Sequence, residues 1–384
     1  MDYTRDVHRL VARASILVAV IVAQFILFET GLRLQAGSEA TPEFRALFAD
    51  DDRIGHVLNP GATAHYATAE FSTDIRINQV GVRDEELGPK QAGEQRIVVL
   101  GDSLVMAVQV PLAETFAKRL EARLNASGPA APYRVINAGV QGYGPVEEQL
   151  FFEKMAPALE PDLVLIAIYV GNDAIEAADS APRLDSGAAS MAGAAANDLL
   201  EPVRRTARRS MVLQIARLRV QTVLARVRTA TPERPLLTYL AGEDPLVTRG
   251  LSVTAGSIEA IEAEAARHDA RVAVVLLPAR LQLNDRNFED LQASVRAAGG
   301  RLERDAATVR FRRMLGRLDV PVLDALPGFR ARPDREQLYF LRTAHLTPLG
   351  HEALAEQLER FLRAERLVPD PAPTAAHQAP APAP

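Results

Sequence analysis

Cysteine is absent from the 384 residues. That excludes disulfides, thiolate nucleophiles and cysteine-ligated zinc, and it leaves the redox compartment open. The seven histidines, His8, His56, His65, His268, His345, His351 and His377, form no HExxH pattern, so a metal hydrolase has little support. There is no excess of basic charge either. The formal net charge is −5, which gives no global reason to expect nucleic acid. What remains is ordinary globular composition, 48% hydrophobic and 24% charged, in a chain long enough for one large domain with appendages or for two domains.

Residues 1–13 read as a cytoplasmic N-terminus and 14–34 as a transmembrane signal anchor. Ala14 to Phe28 is nearly all apolar, with Gln24 the exception, and Arg5, Arg9 and Arg13 precede it. Continued to Leu34, it just reaches the ~20 residues a span needs. The arginines favour a cytoplasmic N-terminus and a C-terminal bulk on the periplasmic or extracellular side of the cytoplasmic membrane. A cleaved signal peptide, with a poor small-residue site at Ser38-Glu39-Ala40, and a buried core helix are the competing readings.

Residues 35–94 read as a tether and a small β-rich accessory region, with alternating stretches at Thr63–Tyr66 and Phe71–Asn78. From Arg96 the pattern becomes strand, helix, repeated. Strands are expected at Arg96–Leu100, Tyr133–Asn137, Leu163–Val170, Arg271–Leu277 and Val320–Asp324. Helices are expected at Thr115–Leu124, Val146–Met155, Ser257–His268, Phe288–Leu318 in pieces, and His351–Ala364. Apolar strands separated by amphipathic helices predict an α/β fold, a parallel sheet covered on both faces. Residues 95–367 form this main domain.

An insertion, 177–250, interrupts it. Ala177–Asp198 is rich in Ala, Gly and Ser and reads as mobile. Glu201–Arg228 carries eight arginines and reads as a basic amphipathic helix. It is either a solvated helix on the domain edge or a lid or lipid-facing surface. Residues 368–384, Pro/Ala-rich, read as a disordered tail.

Candidate chemistry gathers at strand ends. Gly101-Asp102-Ser103-Leu104 follows the first strand, a position where acyl-transfer enzymes put a nucleophile. Asn137-Ala138-Gly139-Val140-Gln141-Gly142-Tyr143-Gly144 follows the second. Gly171-Asn172-Asp173 follows the third, and His345 sits in Thr343-Ala344-His345-Leu346-Thr347-Pro348-Leu349-Gly350-His351. A serine needs a base to take its proton, and the tetrahedral oxyanion needs donors. A glycine N–H and an asparagine amide can supply them. Each residue has a plainer reading: Ser103 as a helix cap, Gly142 and Asn172 as turn residues, His345 as a satisfied histidine. Asp102 and Asp173 read as hydrogen-bonding the turns that carry them, and His351 as the start of the last helix.

These four blocks resemble those of the SGNH (GDSL-type) hydrolase family, over about residues 95–365. Ile77-Asn78-Gln79-Val80-Gly81-Val82-Arg83-Asp84 also resembles a segment found ahead of the catalytic domain in membrane-anchored bacterial members. The resemblance implies a flavodoxin-like three-layer sandwich. It implies Ser103 as nucleophile, His345 as general base, and an oxyanion hole of the Ser103 N–H, the Gly142 N–H and the Asn172 side chain. It implies an ester hydrolase that needs no metal or organic cofactor. The expected substrate is an acyl ester, with a small acyl group on a glycan, or else a lipid ester. An O-acyltransferase with a membrane acyl-donor partner, and a glycan-binding pseudoenzyme, are the alternatives.

Two departures stand out. The aspartate that usually lies two or three residues before the histidine is replaced by Thr343 and Arg342. A backbone carbonyl orients His345, or a carboxylate such as Asp334 or Glu336 does, or the site is weakened or dead. An orienting aspartate is worth about 10⁴ in rate in a Ser-His-Asp triad. After the serine, Ala107 and Gln109 stand where many anchored members have glycines, which is expected to narrow the pocket mouth.

Overall fold

The computed structural model describes residues 42–126, 132–185, 234–297 and 299–369, together with Gln24. Contacts divide the chain into two units, 1–45 with 188–231 and 46–187 with 232–384. Of the first, the described residues are Gln24 and the short helix Pro42–Arg45. The second unit holds the sheet and both hairpins.

Its centre is a five-stranded parallel sheet. β5 (Gln95–Leu100), β6 (Tyr133–Asn137), β7 (Leu163–Tyr169), β8 (Arg271–Leu277) and β9 (Val322–Asp324) are arranged in the order β6-β5-β7-β8-β9. Renumbered within the sheet, that is 2-1-3-4-5, the flavodoxin-like order, whose ligand site lies at the switch point between its first and third strands. The apolar runs expected as strands are these strands, displaced by at most two residues at an end.

Alternation along each strand decides which layer covers which side chain. Ile97, Val99, Val135, Leu165 and Val275 share one core with α2 (Phe116–Asn125) and α7 (Pro348–Ala364). Val98, Leu100, Ile166, Ile168 and Val274, equally buried, alternate with them and point to the opposite face. There α3 (Pro145–Leu159), α4 (Asp173–Ser180) and α5 (Pro245–Ala266) pack together. The result is three layers. α1 (Ser103–Met106) is the single turn that follows β5, and α6 (Ala306–Leu315) flanks α5.

α5 is longer than expected. It begins at Pro245 rather than near Ser257, and Asp244 caps it by accepting the N–H groups of Leu246 and Val247 at 2.8 and 3.2 Å. Gly250 and Gly256 make its first half a weak helix by composition, and packing overrides that. A Cβ on Gly250 would lie 1.6 Å from the Ala174 carbonyl oxygen, so the glycine lets α5 and α4 touch. The insertion is therefore shorter than 177–250: Ala177–Ser180 complete α4, and residues from Pro245 belong to α5.

The accessory region consists of two antiparallel hairpins, β1 (Phe48–Asp51) with β2 (Gly55–Leu58), and β3 (Thr63–Ala67) with β4 (Ser72–Arg76). It is tied to the main domain by buried polar side chains. The Arg83 guanidinium donates to the carbonyls of Met106, Ala107 and Val110 at 2.7, 2.6 and 2.7 Å. The Asp84 carboxylate accepts the Asn137 N–H at 2.8 Å. These two side chains give the Ile77–Asp84 segment its structural reason.

Among the described residues, no helix is long and apolar enough to cross a membrane. Apart from Gln24, the expected anchor at 14–34 lies outside the described residues, as do the basic stretch 201–228 and residues 370–384 of the expected tail; Val368, at the start of that tail, is instead buried in the core.

Candidate active site

Asp102, not Ser103, caps α1: its carboxylate accepts the Leu104 N–H at 2.8 Å. That frees the serine hydroxyl. Ser103 Oγ lies 2.9 Å from Nε2 of His345, across 242 residues of chain. On the other side of the ring, Nδ1 lies 2.8 Å from the main-chain carbonyl oxygen of Thr343. A carbonyl has no proton to give, so Nδ1 carries the hydrogen. Nε2 then presents its lone pair to the serine, which is the tautomer a general base requires.

Of the readings of the missing aspartate, this geometry matches the first. The acceptor is a backbone carbonyl two residues before the histidine. Asp334 is engaged elsewhere, gripping Arg332 at 2.8 and 3.0 Å. The turn that brings Thr343 O back to its own loop's histidine places Ala344 at φ 53°, a left-handed conformation that a non-glycine residue adopts at a cost. His351 takes no part. It is buried in α7, its Nδ1 accepts the Phe116 N–H at 3.1 Å, and burial lowers its pKa to about 3.

The loops after β5 and β6 are locked together. The Val140 N–H donates to the Gly101 carbonyl at 3.0 Å. A Cβ on Gly139 would meet the Met106 nitrogen at 2.4 Å, so only glycine permits that approach. Gly142 follows in the left-handed region at φ 78°. Among the described residues, no hydrogen bond engages the N–H of Ser103 or of Gly142. Asn172, at the end of β7, donates from Nδ2 to Glu176 Oε1 at 2.7 Å, which leaves its second amide hydrogen. The structure thus puts Ser103 and His345 in direct contact, with Gly142 and Asn172 on the loops of the two strands that flank β5.

Four carboxyl groups cluster near these loops, two of them, Glu148 and Glu176, with no role in the sequence pattern. Asp102, Glu148 and Asp173 are buried, and Glu176 is half-buried beside them. Desolvation, helped by mutual repulsion, pushes Glu148 and Asp173 well above the usual carboxyl range. Desolvation pushes Asp102 and Glu176 up to about 7. Asp173 also accepts the Tyr169 N–H at 2.8 Å, so both aspartates hold their turns as expected.

Ala107 and Gln109 do not narrow a pocket mouth. They are 1% and 3% exposed, and the Ala107 carbonyl is tied to Arg83. A cleft of about 660 Å³ between α5 and α6, lined by Leu251, Ala255, Val309 and Met314, contains none of the site residues. Among the described residues no group of His, Asp or Glu could hold a metal ion.

No family model and no curated protein matches the chain. Among solved structures it is similar to the lipase/acylhydrolase from Enterococcus faecalis, with 12% identity over 73% of this chain and all of that one, at a TM-score of 0.40. It is similar to TesA, with 14% identity over 70% of this chain and 99% of that one, at a TM-score of 0.37. It is similar to a catalytic mutant of Axe2, an acetylxylan esterase from Geobacillus stearothermophilus, with 12% identity over 70% and 94%, at a TM-score of 0.38. The chemistry below rests on its own site.

Proposed function

We propose that this protein is a Ser–His ester hydrolase of SGNH type. The observation that carries the reading is the relay Thr343 O···Nδ1 His345 Nε2···Oγ Ser103, at 2.8 and 2.9 Å. Ser103 attacks an ester carbonyl as His345 takes its proton. The oxyanion is received by the N–H of Ser103, the N–H of Gly142 and the Asn172 amide, each worth a few kcal/mol where preorganised. His345 then protonates the leaving alkoxide. Water, activated by the same nitrogen, resolves the acyl-enzyme. No metal or organic cofactor is called on.

The acyl group is small, acetyl above all, and its carrier is a glycan of the envelope or a secreted one. The enzyme acts outside the cytoplasmic membrane, held by the 14–34 segment. These finer parts are supported by the apolar run behind Arg5, Arg9 and Arg13, and by the likeness of Ile77–Asp84 to anchored members. The motive for a pseudoenzyme, an unoriented histidine, is weakened by the Thr343 carbonyl.

Turnover of p-nitrophenyl acetate and butyrate by the full chain in detergent, beside Ser103→Ala and His345→Ala, tests this. Turnover lost in both variants, with acetate preferred, supports the reading. Wild-type turnover no higher than that of Ser103→Ala overturns it.

A further inference from the structure

The loop carrying Gly142 is held from outside the sheet. His56, on β2 of the first accessory hairpin, places Nε2 at 2.9 Å from the main-chain carbonyl oxygen of Gln141. Since the carbonyl can only accept, Nε2 carries the hydrogen. Gln141 C=O and Gly142 N–H belong to one peptide unit, and the described chain contains no cis peptide bond. In a planar trans peptide the C=O and N–H point in opposite directions. Holding the Gln141 oxygen toward His56 therefore aims the Gly142 N–H away from it.

The imidazole is itself clamped. Its ring lies 5.6 Å from the Phe48 ring and 5.3 Å from the Tyr143 ring, centroid to centroid. The Tyr143 hydroxyl donates to the His56 carbonyl at 2.7 Å. A Cβ on Gly142 would lie 3.9 Å from His56 Cε1, so the ring stands beside the glycine as well. Without a donor there, a glycine at φ 78° has the freedom to rotate its peptide. A rotated peptide would turn a carbonyl oxygen where the oxyanion needs an N–H.

We propose that His56 is a positioning residue for the oxyanion hole: by hydrogen-bonding the Gln141 carbonyl, it fixes the Gly142 N–H toward the reacting carbonyl oxygen. It touches no reacting atom. The accessory hairpin is thereby part of the catalytic apparatus, although it lies outside the 95–365 stretch that bears the hydrolase blocks. This inference rests on the ester-hydrolase reading above.

Two variants separate donation from packing. His56→Phe keeps a ring between Phe48 and Tyr143 and removes the donor. His56→Gln removes the ring and keeps an N–H donor of similar reach. Removing an oxyanion donor outright costs about 10²–10³ in kcat, so loosening one should cost roughly 10- to 100-fold. The expected result in the full chain is that loss for His56→Phe with KM for p-nitrophenyl acetate unchanged, and recovery of most of kcat in His56→Gln. Wild-type kcat in His56→Phe, or equal losses in both variants, overturns the proposal.

A second readout does not depend on turnover. Gln141-Gly142 is the one Gln-Gly pair in the sequence. Labelling glutamine carbonyls with ¹³C and glycine nitrogens with ¹⁵N therefore isolates one amide resonance. His56→Phe should shift it and His56→Gln should restore it. If the wild type proves inactive, the hydrolase reading fails, and this resonance still decides the role of His56. An amide signal unmoved in His56→Phe overturns it.

Discussion

Both carboxylate oxygens of Glu70 lie 3.1 Å from the main-chain nitrogen of Arg342. One of them also accepts the Leu341 N–H at 2.9 Å. Glu70 sits in the turn between β3 and β4, and Phe71 beside it packs on Phe340 with ring centroids 5.5 Å apart. A carboxylate thus serves the histidine loop after all. It comes from the accessory region and acts on the main chain, one residue short of the Thr343 carbonyl that holds His345.

Glu70→Ala should therefore lower kcat while leaving the fold intact. The contact is exposed, so the stability change should be small. A loose loop displaces the base by a fraction of an ångström, and the expected loss is roughly tenfold. Steady-state kinetics with a melting curve check both halves. An unchanged kcat would show that the loop holds its shape unaided.

Thr343→Ala should be nearly silent. The group that orients His345 is the carbonyl of residue 343, not its side chain. Activity should stay within about threefold of wild type, against the ~10⁴ that an orienting aspartate is worth in a triad. A larger loss would mean that the threonine hydroxyl takes part in orienting the base.

The buried carboxyls give stability a pH dependence of a definite sign. In the unfolded chain they titrate near 4. In the fold, Asp102 and Glu176 are raised to about 7, and Glu148 and Asp173 well above 4.5 and 3.8. Between those limits the native state holds more protons than the unfolded one, so stability falls as pH rises. The contribution is full below about pH 4, and the part due to Asp102 and Glu176 is lost as pH climbs through 7. Melting temperature should drop between pH 5 and pH 8, and Glu148→Gln, which removes one titrating group, should flatten that drop. A melting temperature that rises over this range contradicts the assignment.

Arg83→Met should destabilise the protein strongly. It leaves the carbonyls of Met106, Ala107 and Val110 buried without their donor. Charged hydrogen bonds are worth about 1.5–3 kcal/mol each, so the loss should be about 3 kcal/mol or more. Urea unfolding measures it. A change below about 1 kcal/mol would mean that the loop finds other donors.

What was legible in the sequence follows from how far each interaction reaches along the chain. β6 and β8 lie where apolar, β-branched runs predict them, because burial on both faces leaves a local signature. Ser103 and His345 were legible from their blocks at strand ends, and the structure puts them in contact. His56 and Glu70 were not. Each acts through one hydrogen-bond pattern to a main chain 85 or more residues away, and a backbone acceptor or donor imposes no pattern on the residue that meets it. The start of α5 did carry a signal, Asp244 before Pro245, a cap followed by proline at the first helical position. The glycines behind it obscured that signal.

The most direct test of the central claim is the reaction of the full chain with a fluorophosphonate, followed by peptide mass spectrometry, beside His345→Ala. A serine activated by a histidine that leans on a carbonyl should be phosphonylated at Ser103, and His345→Ala should slow that reaction at least ~100-fold. Wild-type protein that leaves Ser103 unmodified, or that labels it at the His345→Ala rate, would contradict the Ser103–His345 dyad as the working site.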